Sequence, residues 1–379
     1  MKIAIIALPI VQDRVIVPPL PLSYVAAMLD QRRHIVRIHD LAVCTGPEVD
    51  EQIGLVRGFR PHVIMLVGED RLRAAEVRRS LADLNTEWLV INANMRGMTP
   101  SQAVAMALSQ IDENTLEDNQ RVIVGALLDL RGDLDYVPSP ARHLLPIERY
   151  GLRSPSRALQ TNVLIGQPVD TRVMLRNPRL IVSELRSIAH EYGIWHIVFD
   201  GLRITDDSAW LHDFLYGLIM ARLGVKWEAT AAHTALTPDL LRTCQRAGCE
   251  ALTIEFDVMQ VLDVQSSRQS LSDIVREAHA LELLVYGHVL LEPRYSSIPT
   301  LVDLSATFGL DNIHFSIQTE EPAAVQSTLD LAESRYRSLQ SRQFFVRRFG
   351  AYLGTVIWQV GRIGLLGRSW QRFSIGKPR

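Results

Sequence analysis

Glu255 and Asp257 close the run Ala251-Leu252-Thr253-Ile254-Glu255-Phe256-Asp257. A carboxylate at the carboxyl end of a parallel strand can hold a hydroxylated ligand. Asp200, Asp206 and Asp207 have the composition of a divalent-cation cluster. Asp206 and Asp207, however, precede Trp210 at a helix start, where N-capping and compensation of the helix dipole account for them. His190 and His196 flank a helix-to-strand turn and His233, His288 and His314 fall on or near strand ends, so three could converge with Glu255. Neither HxH nor HExxH spacing is present, and hydrogen-bonded histidines are expected rather than a metal site. The chain has no GxSxG and no glycine-rich phosphate loop. Cys249, in Ala247-Gly248-Cys249, reads as a packing residue.

The elements that would position these residues alternate throughout. Short β-branched runs at 2–8, 35–39, 63–67, 88–91 and 121–127 read as strands, separated by helical patterns at 20–30, 49–58, 74–84 and 101–111. That alternation predicts a doubly wound parallel sheet with its ligand site beyond the carboxyl ends of the strands, on the loops around Pro18, Pro19, Gly68 and Asn92. Residues 131–157, rich in proline and polar residues, read as a linker between two domains. Six further strands, at 159–165, 194–200, 227–232, 251–256, 284–290 and 313–318, predict a partial β/α (TIM-like) barrel over 158–330. Its mouth would be lined by Gly166, Asp200, His233, Glu255, Glu292 and Gln318. Residues 331–379 form a separate tail. On a helix over 343–366, Phe345, Phe349, Tyr352, Val356, Val360 and Ile363 fall near one stripe, with Arg348 and Arg362 off it, an amphipathic basic pattern.

Composition sets the outer limits. Of 379 residues, 47% are hydrophobic and 22% charged, enough to build a core and too apolar for a disordered chain. A net charge of -2 gives no case for nucleic-acid binding. Cys44, Cys244 and Cys249 fit a reducing compartment. The opening MKIAIIALPIVQDRV has no small-residue cleavage site and too short an apolar run to span a bilayer. A cytoplasmic protein is expected, with residues 343–379 as its contact to the inner membrane face or a partner.

Several stretches, in order, resemble the cobalamin-binding radical S-adenosylmethionine proteins, in the branch of the anaerobic porphyrin-ring cyclase and hopanoid-modifying enzymes. Pro18-Pro19-Leu20-Pro21-Leu22-Ser23-Tyr24, followed by His34 to Asp40, is similar to that family's opening loop, helix and second strand. Leu134-Asp135-Tyr136-Val137-Pro138-Ser139-Pro140-Ala141-Arg142-His143-Leu144-Leu145-Pro146 resembles its interdomain signature. Arg176-Asn177-Pro178, Ser183-Glu184-Leu185, Tyr192-Gly193-Ile194 and Phe199-Asp200 match the first barrel helix and second strand. Leu236-Thr237-Pro238-Asp239, Ala247-Gly248-Cys249 and Ile254-Glu255 follow as the next helix and strand, and Phe344-Phe345-Val346-Arg347-Arg348 as the C-terminal region. The resemblance implies sites for cobalamin and S-adenosylmethionine, with Glu255 at the position that contacts the ribose.

The departures from that family carry the functional expectation. Its members hold an iron–sulfur cluster on CxxxCxxC in the loop after the first barrel strand, where three thiolates leave one iron open. Here that loop reads Thr161-Asn162-Val163-Leu164-Ile165-Gly166-Gln167-Pro168-Val169-Asp170-Thr171, without a cysteine. The family's Gly-Gly-Pro-His appears as Asn92-Ala93-Asn94-Met95, whose side chains replace glycines that would let a large ligand approach. No iron–sulfur cluster is expected. Cobalamin and S-adenosylmethionine stay as candidate ligands of residual pockets at Pro18, Pro19, Gly68, Asn92, Glu255 and Asp257. The expected role is that of a pseudoenzyme binding a protein partner, a hydrophobic ligand or a membrane-associated complex. The alternatives are non-radical chemistry in the barrel and a cobalamin sensor.

Overall fold

The computed structural model describes residues 1–9, 16–169, 172–257, 265–291 and 308–317, together with Ser334. It divides into two compact units, Met1–Trp227 and Glu228–Arg379.

In the first unit, β1 (Lys2–Ala7), β2 (Ile35–Asp40), β3 (Val63–Val67) and β4 (Glu87–Ile91) form a parallel sheet in the order β2-β1-β3-β4. Ile3 stands opposite Val36 on one side and Val63 on the other. All of β3 and nearly all of β1 is buried, as strands covered on both faces require. The covering helices are α1 (Leu20–Gln31), α2 (Gly46–Phe59), α3 (Arg71–Ser80), α4 (Pro100–Leu108) and α5 (Asp118–Asp129). The strand order reverses direction at β1 and β3, so a crevice opens beyond their carboxyl ends.

The fifth strand expected at 121–127 is instead part of α5. A reciprocal cap between Glu117 and Gln120 starts the helix, and Ile123, Val124, Ala126, Leu127 and Leu130 bury one face at helical spacing. The β-branched Val122-Ile123-Val124 is outweighed by this period and by the cap.

Residues 131–157 pack into the first unit. Three short 3-10 turns, Leu134–Tyr136, Arg142–Leu144 and Ile147–Arg149, bury Leu134, Arg142, Ile147 and, just beyond, Tyr150. The Ala141 and Gly151 amides donate to Ser23 O at 3.0 Å and Ile16 O at 2.9 Å, stitching the segment to the start of α1. The chain then forms β5 (Gln160–Leu164), a hairpin of β6 (Gly166–Val169) and β7 (Arg172–Leu175), α6 (Pro178–Tyr192), β8 (His196–Asp200) and α7 (Ser208–Ala221). β5 and β8 are parallel, with Leu164 opposite Asp200. Behind β8, Phe199 meets Phe214 and Trp227 at ring distances of 5.0 and 5.5 Å. Asp207 caps α7 by accepting from the Trp210 amide at 2.9 Å, in line with the capping expectation, whereas Asp206 accepts from Arg203 Nε at 2.8 Å.

β9 (Lys226–Ala232) crosses the boundary between the units, and α8 (Pro238–Arg246) follows it. In the second unit β10 (Cys249–Asp257), β11 (Leu284–Leu291) and β12 (Asn312–Ile317) are parallel neighbours, with α9 (Gln265–Ala280) between β10 and β11. Leu252, Ile254, Val285, Val289 and Ile313 are buried. Alternation therefore places Thr253, Glu255, Tyr286, His288 and His314 together on the opposite, half-open face. The mouth residues Glu292 and Gln318 and the basic tail at 343–379 lie outside the described residues. Among the described residues no helix is long and apolar enough to cross a membrane.

Candidate functional site

The exit of β5, where the resemblance calls for three thiolates, is folded back on itself. β6 and β7 pair antiparallel from Gly166 opposite Leu175 to Val169 opposite Arg172. The first strand of the hairpin is anchored by side-chain hydrogen bonds. Gln167, fully buried, donates to Leu130 O at 2.9 Å and Gly132 O at 3.1 Å and accepts from the Ser101 amide at 2.8 Å. Ser101 Oγ donates to Pro168 O at 2.6 Å. Gly201, with φ +95° at the end of β8, packs so closely that a Cβ there would strike Gly166 O. At Gly166 a Cβ would lie 2.5 Å from Met174 O and 2.6 Å from Leu202 Cδ1. At the exit of β5, Gly166 and Gly201 are thus packed too closely to carry a side chain.

Beneath the hairpin lies a buried ion triad. Arg142 Nη1 reaches Glu184 Oε1 at 2.5 Å, and Arg176 Nη2 reaches Glu184 Oε2 at 2.7 Å. The remaining Nη atoms donate to backbone, Arg142 to Asn162 O and Arg176 to Leu164 O, both at 2.7 Å. Burial by itself would raise the Glu184 pKa, but the two guanidiniums overcome it and hold the carboxyl below its ordinary value. Tyr24 is buried beside them, and desolvation pushes its phenol up to about 12. The residues resembling the interdomain signature and the first barrel helix therefore carry a structural charge network. Above Arg142 and Glu184, between α1, residues 138–143 and α6, a cleft of about 450 Å³ opens, with Asp30, Glu191 and Tyr192 on its rim.

At the edge of the first sheet, the expected loop residues separate. Pro19 and Gly68 line the crevice with Leu8 and Leu22, whereas Pro18 is buried and accepts from the Leu20 amide at 2.9 Å. Gly68 sits at φ +152°, and a Cβ there would lie 2.5 Å from Leu8 Cβ, so its glycine is demanded by packing. Asn92 turns away. Its backbone amide donates to Gln110 Oε1 at 2.8 Å, and its neighbours Ala93 to Arg96 form the wall.

Arg96, which no sequence pattern singles out, dominates this edge. It pairs with Asp40 at the end of β2 and donates from Nη1 to Val17 O at 2.7 Å. Tyr150 donates to the second Asp40 oxygen at 2.8 Å. Burial and the neighbouring carboxylate push the Tyr150 pKa well up, so it remains a neutral donor.

In the second unit, strand register brings Glu255, His288 and His314 level on adjacent strands. His288 Nδ1 lies 3.4 Å from Glu255 Oε1, and the two imidazoles stack at 5.8 Å. Asp257 ends the same strand as Glu255. His233 is buried in the turn after β9. Among the described residues no group of three His, Cys, Asp or Glu is arranged to hold a metal ion. Cys244 and Cys249 are buried, and burial pushes the Cys244 thiol up to about 12, so both act as packing groups.

No protein-family model matches the sequence, and no curated protein matches it. Solved structures do. The radical S-adenosylmethionine methyltransferase TsrM from Kitasatospora setae, with cobalamin and a [4Fe-4S] cluster bound, aligns at TM-score 0.56 and 12% identity over 83% of this chain and 74% of its own. The same enzyme with tryptophan substrate and an S-adenosylmethionine analogue bound gives 0.55 and 12%, over 83% and 72%. The cobalamin-dependent S-adenosylmethionine radical enzyme OxsB with aqua-cobalamin bound gives 0.52 and 11%, over 92% of this chain and 56% of its own. In fold, this mixed α/β chain with its parallel sheets is thus similar to the cobalamin-dependent radical S-adenosylmethionine enzymes.

Proposed function

We propose that the protein is a cluster-less relative of the cobalamin-dependent radical S-adenosylmethionine enzymes, acting without radical chemistry as a binding protein. The observation that carries this reading is the exit of β5. Its residues contain no thiolate, and the loop is spent on a hairpin held by Gln167, Ser101 and Gly201. A site-differentiated cluster needs three convergent thiolates, and Cys44, Cys244 and Cys249 lie on other elements, the last two buried.

The role left to such a fold is to hold a partner or ligand. The cleft of about 450 Å³ over Arg142 and Glu184 falls within the size range of small-ligand pockets. Tyr216 and Met220, one turn apart on α7, are 59% and 62% exposed and add apolar surface for a partner. The basic stretch at 343–379 supplies a second contact, to a protein or a membrane-associated complex. The full chain, supplied anaerobically with S-adenosylmethionine and a strong reductant, is expected to release no deoxyadenosyl product above the protein-free control. Turnover of S-adenosylmethionine under those conditions would refute the proposal.

A second reading rests on Glu255 and His288. Their 3.4 Å approach on the half-open sheet face supports polar acid/base chemistry on a hydroxylated ligand.

A further inference from the structure

We infer that the crevice of the first sheet has been closed by a protein-made latch, Asp40–Arg96–Tyr150, and no longer admits a corrinoid. The fold likeness implies such a ligand at the carboxyl ends of β1, β3 and β4, and the residues there do not fit it. The crevice bounded by Leu8, Pro19, Leu22, Gly68, Met95 and Arg96 has a volume of about 20 Å³ among the described residues. That is room for about one water, against roughly 300–1,000 Å³ for small-molecule sites.

The closure is built from three directions. Gly68 brings the end of β3 against Leu8 at the floor of the crevice, where the Leu8 amide extends the β1–β3 ladder to Val67 O at 2.8 Å. Ala93, standing where a glycine would leave backbone bare, and Met95 two residues on are 4% and 2% exposed and fill the wall. Arg96 then spans the opening, from the β4 loop to Asp40 on β2 and to Val17 before α1. Both partners of the ion pair are buried, with side-chain exposures of 5% and 0%. Asp40 is also held by Tyr150 and by the Ala42 amide at 3.1 Å. A macrocycle that displaced Arg96 would separate this pair, leaving charges uncompensated in a low-dielectric site, a large penalty. The guanidinium thus takes the place of a ligand, tying the sheet edge to the segment around Tyr150.

The latch belongs to the first sheet alone and is independent of the missing cluster, which concerns β5. The full chain is incubated with hydroxocobalamin, passed through gel filtration and read by visible absorption. No corrinoid is expected to co-elute. In parallel, Arg96→Ala is expected to lower the melting temperature by roughly 10 °C, as loss of one partner of a buried pair does in a unit of this size. One corrinoid per wild-type chain overturns the inference, and so does an Arg96→Ala protein that melts within about 2 °C of wild type. If Arg96→Ala does not fold, Arg96→Lys is used. It keeps the charge but cannot fork between Asp40 and Val17 O, and an unchanged melting temperature there contradicts the latch. Iron content and S-adenosylmethionine turnover are not read here, so failure of the latch is distinguishable from failure of the cluster-less reading.

Discussion

Replacing Glu184 by glutamine is expected to lower the unfolding free energy by about 3–5 kcal/mol, the range for removing one partner of a buried ion pair. Glu184 is the single carboxylate shared by Arg142 and Arg176, both buried. Glutamine has nearly the same shape and can still accept a hydrogen bond, so the loss reports charge rather than volume. The effect should depend on pH in a defined sense. The folded-state pKa of Glu184 lies below its unfolded value. Its contribution is therefore fully present above the unfolded pKa, about 4.3, and is lost as pH falls through the lower folded value. Denaturant unfolding at neutral pH should show the full gap between wild type and Glu184→Gln, and the gap should narrow in acid. A difference under about 1 kcal/mol at neutral pH would place Glu184 outside the framework of the fold.

The second large effect is expected at Gly201. Gly201→Ala should cost about 2–4 kcal/mol, because two penalties coincide. The residue occupies φ +95°, and its added methyl would meet Gly166 O and Leu164 Cδ1 at the base of the hairpin. Gly224 provides the internal comparison. It too has positive φ, +73°, but nothing lies within 4 Å of a methyl added there, so Gly224→Ala should cost only the backbone penalty of about 1 kcal/mol. Thermal melts of the two variants test this directly. Equal losses would mean that the hairpin does not press on the end of β8.

Most of the alternating architecture could be read from apolar runs and their boundaries. β3 lies at 63–67 as the residues predict, and the six later strands fall within a few residues of their expected places. Residues 121–127 misled because Val122-Ile123-Val124 has strand composition, while the deciding signals were the Glu117–Gln120 cap and the spacing of Ile123, Leu127 and Leu130. The β6–β7 hairpin carried no usable pattern. Pro168 interrupts the first strand, and its anchors, Gln167 and Ser101, are 66 residues apart in sequence.

The candidate sites were legible in the same uneven way. Glu255, His288 and His314 could be placed at strand ends, and the parallel register then set them side by side. Glu184 left a trace, since it falls on the apolar face of α6 with Ile181, Leu185 and Ile188, where a lone charge demands a partner. Arg96 and Asp40 left none. They are 56 residues apart, Asp40 at the end of β2 and Arg96 on the loop after β4, and only the closed sheet brings them together.

Whether the exit of β5 can hold a cluster is decided by anaerobic reconstitution of the full chain with iron and sulfide, followed by desalting, metal analysis and a visible spectrum. The cysteine-free, hairpin-filled loop predicts iron at the level of a cluster-free control protein and no charge-transfer absorption. A stoichiometric cluster surviving desalting, with a spectrum that changes on addition of S-adenosylmethionine, would contradict it.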